Sequence, residues 1–554
     1  MKRYYFVPTI SIFLILQFSF VFAQNWEWAI GGKGYDSFDY SNAVVTDQSG
    51  NVYIAGYFKS ATLTFGTKKI TNSGQEDIFV AKFDSKGNCL WNIAFGGQEN
   101  DRATCMALAG DYLIVSGYFE SKPAMFEDLK VEASSGSDIF VVVLNPNNGK
   151  VTNLKTFKGD GYDDLNSIFV DNQGFIYLSG EFSGDYLVFG NDTLKNYNYG
   201  TIYKGMGDGF VAKLTQDLNP IWALRFGGVS NDRVNTITTD NEGMVYIYGT
   251  FNSNFLNVID TVFNKGYSDI FLFKYDQNNK RFLWQLFLSG TDKEYPASIV
   301  FGNDGYLYLT GEFQSDVIRL PGYTLSNSGS YDFFIIKLDK NGNIANARSF
   351  GSYADEYAKK IVIDNQGSLY IGGYFASSTF SLDNFILTNS STDQYADIFV
   401  AKFDKDLKPI WVLTAGGKGE DQSFNIAVDN NGNLYQTGNF ESREIFFNKT
   451  SIFNFGYSNI FIAKLNPNLP LSTELNNSSA SGIFVFPNPC TNYLCISLTE
   501  EKIAPVKGII YNSLGVEQLE FLVKENLWLD LNAFENGCYF IKIDNKTLPF
   551  IISR

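Results

Sequence analysis

The sequence predicts an all-β protein, a seven-bladed β-propeller that is closed by its own N-terminal strand and followed by a small C-terminal β-sandwich. Three observations predict this fold: two short motifs that recur with one period of about 60 residues, an N-terminal segment that supplies a strand missing from the last repeat, and alternating strands near the end. A repeat of this length with four strands is typical of a propeller blade.

The two motifs keep step along the chain. The first motif, Gly-x-Phe, stands at Gly56–Phe58, Gly117–Phe119, Gly180–Phe182, Gly249–Phe251, Gly311–Phe313, Gly373–Phe375 and Gly438–Phe440. The second motif, Asp or Asn followed two residues later by Phe, stands at Asp77–Phe79, Asp138–Phe140, Asp208–Phe210, Asp269–Phe271, Asp332–Phe334, Asp397–Phe399 and Asn459–Phe461. Two motifs with one period indicate seven copies of one structural unit.

The first repeat predicts four antiparallel strands, which we label A to D, at residues 41–46, 52–58, 77–84 and 90–95. The A–B turn, Asp47–Gly50, has an Asp that can bond the backbone and a Gly that accepts positive φ. Turns rich in Asp and Asn also resemble the calcium-binding loop of an EF-hand. The other calcium ligands of such a loop are missing here, so we interpret these segments as hairpin turns.

The N-terminus is expected to close the ring. The seventh repeat has a strand C at residues 460–466 but no strand D, whereas residues 25–32 have a strand D pattern without strands A to C. Pairing the two leaves no free edge between the first and last blades. In this alignment Trp26 corresponds to Trp91, Trp222, Trp284 and Trp411, and to Asn153 and Asn346 in the other repeats. These aromatic side chains are expected to fill the wedge between blades.

The sequence divides into four predicted segments. Lys2 and Arg3 precede an apolar run, which predicts a secretory signal peptide over residues 1–23 and a propeller over residues 24–466. The run is too short to span a bilayer, and no later segment is long enough. Residues 467–482 are small and polar and predict a linker, and residues 483–554 predict the β-sandwich.

Composition excludes several classes of function. The net charge of −16 argues against nucleic-acid binding, which needs clusters of Lys and Arg. The chain has no histidine, which excludes Ser-His-Asp and Cys-His catalysis and His-ligated metals. Five cysteines show no zinc spacing, and the sequence leaves their disulfide state open.

The C-terminal segment resembles a known sorting module. Pro487-Asn488-Pro489, the Tyr511–Gly515 segment and the Gly537–Lys542 segment resemble the C-terminal sorting domain of the type IX secretion system of Bacteroidetes. This resemblance implies contact with that secretion machinery and a location outside the cell, secreted or on the outer surface. The repeats resemble the seven-bladed β-propeller repeats of bacterial secreted proteins, which implies a scaffold and no particular activity.

Two sets of residues are candidates for a site. The first is a carboxylate six residues beyond the aligned end of strand D in every repeat: Asp36, Asp101, Asp163, Asp232, Glu294, Glu356 and Asp421. The set predicts a ring on one face. The ring is a cation site, with calcium as the ion, or an acidic funnel for a ligand, or a scaffold in which each carboxylate accepts backbone N–H groups. The scaffold is preferred because all repeats keep the residue.

The second set of candidate residues lies in the long B–C loop of the third repeat: Tyr186, Tyr197, Tyr199 and Tyr203. These tyrosines are candidates for binding a glycan or protein ligand.

These observations predict a non-enzymatic binding or scaffold module with a glycan or protein ligand and no cofactor. One alternative is a carbohydrate-active enzyme that uses paired carboxylates, since that chemistry needs no histidine. Another alternative is a structural or adhesive surface component. An asymmetric pair of carboxylates in a pocket would favour the enzyme, and an aromatic face would favour binding.

Overall fold

The computed structural model describes residues 25–200, 205–448, 450–466, 483–486, 493–498, 505–512, 515–524, 526–543 and 546–552. These residues form 49 strands and no helix. Residues Trp26–Asn466 form one compact unit, and the described residues after Pro467 belong to another. The all-β class and the propeller are confirmed. The predicted signal peptide (1–23) and linker (467–482) lie outside the described residues.

Each repeat folds into four antiparallel strands, and we number these units as blades 1 to 7; the sheet of blade 2 is extended to six strands by the B–C hairpin of blade 3. The A strands are Asp39–Thr46, Asp101–Ala109, Asp163–Val170, Asp232–Thr239, Glu294–Phe301, Glu356–Ile363 and Asp421–Val428. The B strands are Val52–Phe58, Tyr112–Phe119, Ile176–Phe182, Val245–Phe251, Tyr306–Phe313, Leu369–Phe375 and Leu434–Phe440. The C strands are Asp77–Phe83, Asp138–Leu144, Asp208–Leu214, Asp269–Asp276, Asp332–Asp339, Asp397–Phe403 and Asn459–Asn466. The D strands of blades 1 to 6 are Cys89–Phe95, Val151–Gly159, Pro220–Phe226, Arg281–Leu288, Ile344–Phe350 and Pro409–Ala415.

The N-terminal strand closes the ring as predicted. Asn25–Gly31 is the D strand of blade 7 and lies beside Asn459–Asn466. The Gly32 N–H donates to the Ile460 carbonyl at 2.9 Å. Each A strand contacts the A strands of both neighbouring blades, and the seven close on themselves around a central channel. We call the face with the D–A and B–C loops the upper face, and the face with the A–B and C–D turns the lower face.

Each B–C loop contains a small hairpin that the sequence did not predict. The hairpin strands are Thr62–Phe65 with Lys68–Thr71, Ala124–Phe126 with Leu129–Val131, Tyr186–Phe189 with Asp192–Lys195, Phe255–Asn257 with Thr261–Phe263, Val317–Leu320 with Tyr323–Ser326, Thr379–Leu382 with Phe385–Thr388, and Glu444–Phe447 with Thr450–Phe453. Some bridge to the end of strand D of the preceding blade, as Met125 does with Gly96. These hairpins extend the contact between blades.

The Gly-x-Phe motif marks a close approach of two strands. Every A strand carries a β-bulge, which in blade 1 lies between Ser41 and Ala43. A Cβ at Gly56 would collide with the carbonyl oxygen of Tyr40 beside this bulge, so only glycine fits. Phe58 is fully buried in the blade core. The motif is therefore a packing requirement of the repeat.

Trp28, and not Trp26, occupies the tryptophan position of blade 7. Its Nε1 donates to the Ser85 carbonyl at 3.1 Å, as Trp91 Nε1 donates to the Pro146 carbonyl at 3.2 Å. The alignment through Trp26 was wrong by two residues, because a shift of two keeps every side chain on the same face of a strand. Sequence alternation alone cannot detect such a shift.

At five of the seven blades the tryptophan position donates a hydrogen bond to the next blade, and Trp284 Nε1 does so to the Lys340 carbonyl at 3.1 Å. Where Asn replaces Trp the link remains: Asn153 Nδ2 donates to the Asp217 carbonyl at 3.3 Å, and Asn346 Nδ2 donates to the Asp406 carbonyl at 2.7 Å. Each acceptor lies in the C–D turn of the following blade. The position therefore conserves a hydrogen-bond donor between blades.

The tail has two sheets around one core, in agreement with a small sandwich. One sheet contains Ile483–Phe486, Tyr493–Leu498 and Asn526–Asp530, and the other contains Val506–Asn512, Glu517–Val523, Gly537–Ile543 and Lys546–Ile552. Leu494 and Leu529 of the first sheet share a buried cluster with Ile510 and Ile541 of the second. Burial between two sheets is what stabilises so small a module.

Candidate functional site

The predicted carboxylates lie at the upper ends of the A strands, and six of the seven positions are those expected. Asp101, Asp163, Asp232, Glu294, Glu356 and Asp421 begin these strands and are fully buried. In blade 1 the position belongs to Asp39, which is also fully buried, and Asp36 is an exposed loop residue with a φ of 53°. The assignment of Asp36 was wrong for two reasons: the misalignment of Trp26, and a D–A loop that is one residue longer in this repeat.

Each buried carboxylate is held by the loops on either side of it. Asp101 Oδ1 accepts the N–H groups of Glu120 and Ser121, and Asp101 Oδ2 accepts the Gly97 N–H and the Ser121 hydroxyl. Ser121 Oγ in turn accepts the Glu99 N–H at 2.9 Å. The carboxylate and the serine therefore tie the D–A loop to the B–C loop. These hydrogen bonds are those that the scaffold interpretation expects.

Blade 3 departs from this arrangement. Gly184 stands where the other blades have the serine, and neither carboxyl oxygen of Asp163 receives a hydrogen bond in the described structure. Burial raises the pKa of Asp163 well above its usual range, and the neighbouring Asp138, Asp164 and Asp160 raise it further. Burial and the neighbouring carboxyl groups therefore favour the protonated form of Asp163.

A second buried acid faces each of these carboxylates across six of the seven interfaces between blades. We call these the acid pairs; each joins a strand C residue to the strand A residue of the next blade. They are Asp77–Asp101, Asp138–Asp163, Asp208–Asp232, Asp269–Glu294, Asp332–Glu356 and Asp397–Asp421. At the seventh interface Asn459 takes the place of the strand C acid beside Asp39.

Burial raises the pKa of the carboxyl groups in the acid pairs. Burial, followed by the nearby carboxyl group of the pair, raises the pKa of Asp101 to about 6 and of Asp421 to about 8. Asp269 and Glu294 interact across their interface, and burial raises the pKa of both. Two buried carboxyl groups that face each other are stabilised when one of them is protonated. The pairs are sealed from solvent, and no cluster of three potential metal ligands occurs among the described residues.

The tyrosines predicted in the B–C loop of blade 3 do not form one cluster. Tyr186, Tyr197 and Tyr199 are exposed, and no ring contact joins any two of them. Tyr197 and Tyr199 lie beside Arg225 and Lys195, respectively. Tyr203 lies outside the described residues. The exposure of Tyr186, Tyr197 and Tyr199 leaves these three side chains available to a ligand.

A different group of aromatic side chains does form a continuous surface, around the upper opening of the channel. Tyr295, Tyr331, Tyr357, Tyr374 and Phe424 follow one another through blades 5, 6 and 7, with ring centroids 6.3, 5.8, 4.9 and 6.5 Å apart. All five are half-buried. We call this group the aromatic arc. Sequence reasoning missed it because its members occupy four different positions of the repeat.

Charged groups lie within the aromatic arc and beside it. Lys359 Nζ lies 4.3 Å from the Tyr357 ring centroid and forms an ion pair of 2.9 Å with Glu312. Burial raises the pKa of Tyr331 to about 12 and raises the pKa of Tyr374. The phenols therefore stay protonated at neutral pH and can donate hydrogen bonds.

The upper opening is asymmetric. Blades 5 to 7 carry the arc, whereas blades 3 and 4 carry Asp164, Glu181 and Arg233 at the corresponding positions. Arg233 forms an ion pair of 3.1 Å with Glu181. The charged residues of blades 3 and 4 break the sevenfold pattern of the repeats, whereas blade 1 repeats one contact of the arc, with Tyr40 stacked on Tyr57 at 5.1 Å.

Comparison with known proteins identifies the tail. Residues 484–552 match the family of the secretion system C-terminal sorting domain. The chain therefore carries a type IX secretion sorting domain and is exported, either to the cell surface or into the medium. No helix capable of crossing a membrane occurs among the described residues.

Two curated proteins resemble the chain at low identity. An uncharacterized WD repeat-containing protein, L264, of Acanthamoeba polyphaga mimivirus is 23% identical over 500 aligned residues, which cover 73% of this chain and 35% of that protein. The regulatory protein FlaEY of Caulobacter vibrioides is 27% identical over 159 residues, which cover 28% of this chain and 16% of that protein. The chain thus spans about a third or less of these relatives.

Solved structures resemble the chain only distantly. The WD40 β-propeller domain of Doa1 has a TM-score of 0.37 and 12% identity, with 80% of this chain and 97% of that chain covered. The phage phi92 endosialidase has a TM-score of 0.36 and 10% identity, with 96% of this chain and 87% of that chain covered. Likenesses of this size carry no inference about activity, ligand or partner.

Proposed function

We propose that the exported propeller is a non-enzymatic binding module, that its ligand is a glycan, and that the aromatic arc is the surface that binds it. The observation that carries this proposal is the continuity of the arc from Tyr295 to Phe424. Neighbouring rings offer apolar faces, and their phenols offer hydroxyl groups. A sugar ring presents the matching combination, an apolar face of C–H groups with hydroxyl groups around its edge.

The charges beside the arc support the same proposal. The Lys359 ammonium and the Glu312 carboxylate add a donor and an acceptor next to the Tyr357 ring. A few polar groups fix the orientation of a ligand whose affinity comes from apolar contact. The asymmetry of the upper opening also supports a site, since a residue kept in every blade serves the scaffold, whereas a ligand site uses a few blades.

The burial of the acid pairs supports the non-enzymatic part of the proposal. A glycosidase needs two carboxyl groups that flank a bond of the substrate in an open cleft. Asp397 and Asp421 are both sealed inside an interface between blades, so a substrate does not reach them. The other pairs lie at equivalent positions of the repeat.

A protein is the second candidate ligand, and a specific surface favours it. Tyr35, Phe38, Phe455 and Tyr457 are exposed on the upper face where blade 7 meets blade 1. Phe38 stacks on Tyr457 at 5.3 Å, and Tyr35 lies 5.7 Å from Phe455. Exposed aromatic groups of this kind are enriched at protein interfaces.

A glycan array probed with the full-length protein tests the proposal. Binding to the glycans recovered should fall at least about tenfold in Tyr357→Ala and Tyr374→Ala, because each variant loses one stacking face. Tyr357→Phe keeps the ring and should lose less. Tyr267→Ala is the matched control, since Tyr267 is 70% exposed and lies outside the arc.

Two results would contradict the proposal. One is equal binding by Tyr357→Ala and the wild type while both give the same circular dichroism spectrum. The other is binding that depends on Tyr457 and not on the arc, which would favour a protein-type surface at the junction of blades 7 and 1.

A further inference from the structure

The lower half of the channel contains a cavity that is separate from the aromatic arc. Its volume is about 410 Å³, and residues from the A strands of all seven blades line it. One residue from each strand, at the same register, forms an apolar belt around the cavity: Val44, Met106, Ile168, Ile237, Ile299, Ile361 and Ile426. We call this cavity the lower chamber. It lies at the opposite end of the channel from the aromatic arc.

The inner end of the lower chamber is polar and carries a single charge. Ser167, Thr236, Lys360 and Asn425 line this end, and Lys360 is the only charged residue among those that line the chamber. The Ser167 and Thr236 hydroxyls lie 3.4 Å apart, and Asn425 Nδ2 donates to the Asn42 carbonyl. An apolar wall with convergent polar groups is the usual composition of a small-molecule pocket.

Lys360 has no partner within the described part of the chain. Its ammonium forms no hydrogen bond or ion pair there. The adjacent Lys359, by contrast, pairs with Glu312. Burial lowers the pKa of Lys360. The nearby Cys105 thiol gives no compensating charge, because burial raises its pKa to about 11.

A cation that is partly removed from water and has no partner is stabilised by a bound anion. We propose that the lower chamber binds a medium-chain aliphatic carboxylate, with its carboxylate on Lys360 and its chain against the apolar belt. One ammonium matches one carboxylate charge, whereas a phosphate dianion would need further cations. The hydroxyls of Ser167 and Thr236 line the same chamber and add polar groups to it.

The chamber has a route to the lower face. Another cavity, of about 470 Å³, shares Thr46, Leu108 and Val428 with the lower chamber. This outer cavity is lined by lower-face turns, including Gly110 and Asp111. Blade 2 connects strands A and B through these two residues alone, whereas blade 1 uses five residues. The short turn leaves the space through which a ligand enters.

Titration calorimetry of the full-length protein with octanoate tests this site. We expect saturable binding, with Lys360→Met weakening it at least about tenfold through loss of a charged hydrogen bond. Lys405→Met, at an exposed lower-face turn, should bind octanoate as the wild type does. Octanol, which lacks the charge, and acetate, which lacks the chain, should both bind more weakly than octanoate.

Thermal melting gives a second, independent readout. Octanoate should raise the melting temperature of the wild type by mass action and leave that of Lys360→Met unchanged. Lys360→Met without ligand should melt no earlier than the wild type, because it removes a partly buried charge that has no partner among the described residues. Equal octanoate affinity in the two proteins, octanol binding as tight as octanoate binding, or no octanoate binding by the wild type would each overturn the proposal.

Discussion

Replacing Asp397 by Asn should stabilise the protein at pH 8 and leave its stability nearly unchanged at pH 4. Asp397 is 1% exposed and forms an acid pair with Asp421. The chain already contains the substituted form of this arrangement, because Asn459 occupies the equivalent position beside Asp39. The geometry therefore tolerates the amide. In Asp397→Asn the new side chain would keep an acceptor for the Ser390 N–H and would gain a donor for Asp421.

The expected size follows from the pKa of Asp397. Burial raises this pKa from its usual 3.8 to about 6. At about 1.4 kcal/mol for each pKa unit, the difference corresponds to about 3 kcal/mol. An acid whose pKa is raised by folding stabilises the fold while it is protonated; this contribution is complete below pH 3.8 and is lost as the pH rises through about 6. The variant has no proton to lose, so its advantage grows to about 3 kcal/mol by pH 8.

Denaturant titrations followed by circular dichroism at pH 4, 6 and 8 measure this difference. Asp406→Asn is the matched control, because Asp406 is an exposed residue of the same blade. The converse variant, Asn459→Asp, creates a seventh acid pair and should lose stability at pH 8 but not at pH 4. A change in the free energy of unfolding that is the same at all three pH values would refute the reasoning, since the pair would then carry no proton linkage.

Two further variants test the scaffold. Deletion of residues 25–31 should expose the edge of Asn459–Asn466 and lower the melting temperature far more than an ordinary terminal truncation; melting like the full-length protein would contradict closure by this strand. Ser121→Ala should lower the free energy of unfolding by about 1–3 kcal/mol, because it leaves Asp101 and the Glu99 N–H short of a partner. Ser183→Ala, whose hydroxyl bonds only the backbone of Tyr162, should cost less in the same titration.

Much of the fold could be predicted because the same strand motifs recur in all seven repeats. The Gly-x-Phe motif located strand B in every blade, and the missing strand D located the closing strand. What the sequence could not predict was the register of the N-terminal strand. Trp26 and Trp28 point to the same side of one strand, so alternation alone could not choose between them, and the choice of Trp26 led to Asp36 in place of Asp39.

The candidate site could be predicted far less well. Tyr331 precedes a C strand while Tyr357 lies within an A strand, so only the assembled ring shows that their side chains meet. The two neighbouring lysines show the same limit at shorter range. The β-bulge between Ala358 and Lys360 sends Lys359 to Glu312 and Lys360 to the lower chamber. The sequence pattern does not predict the position of this β-bulge, so it could not predict the different directions of the two lysines.

The closing strand also constrains the order in which an exported chain can fold. The Gly34 N–H bonds Asn459 Oδ1, and the two residues are 425 positions apart. Contacts so distant in sequence form slowly, because a long loop must first be ordered. Blades 1 to 6 contain only local segments and can form as the chain emerges, but blade 7 must wait for both ends of the propeller. Until then Asn459–Asn466 keeps an open edge that can pair with another chain, so the interval before closure is when the newly delivered protein is most exposed to aggregation.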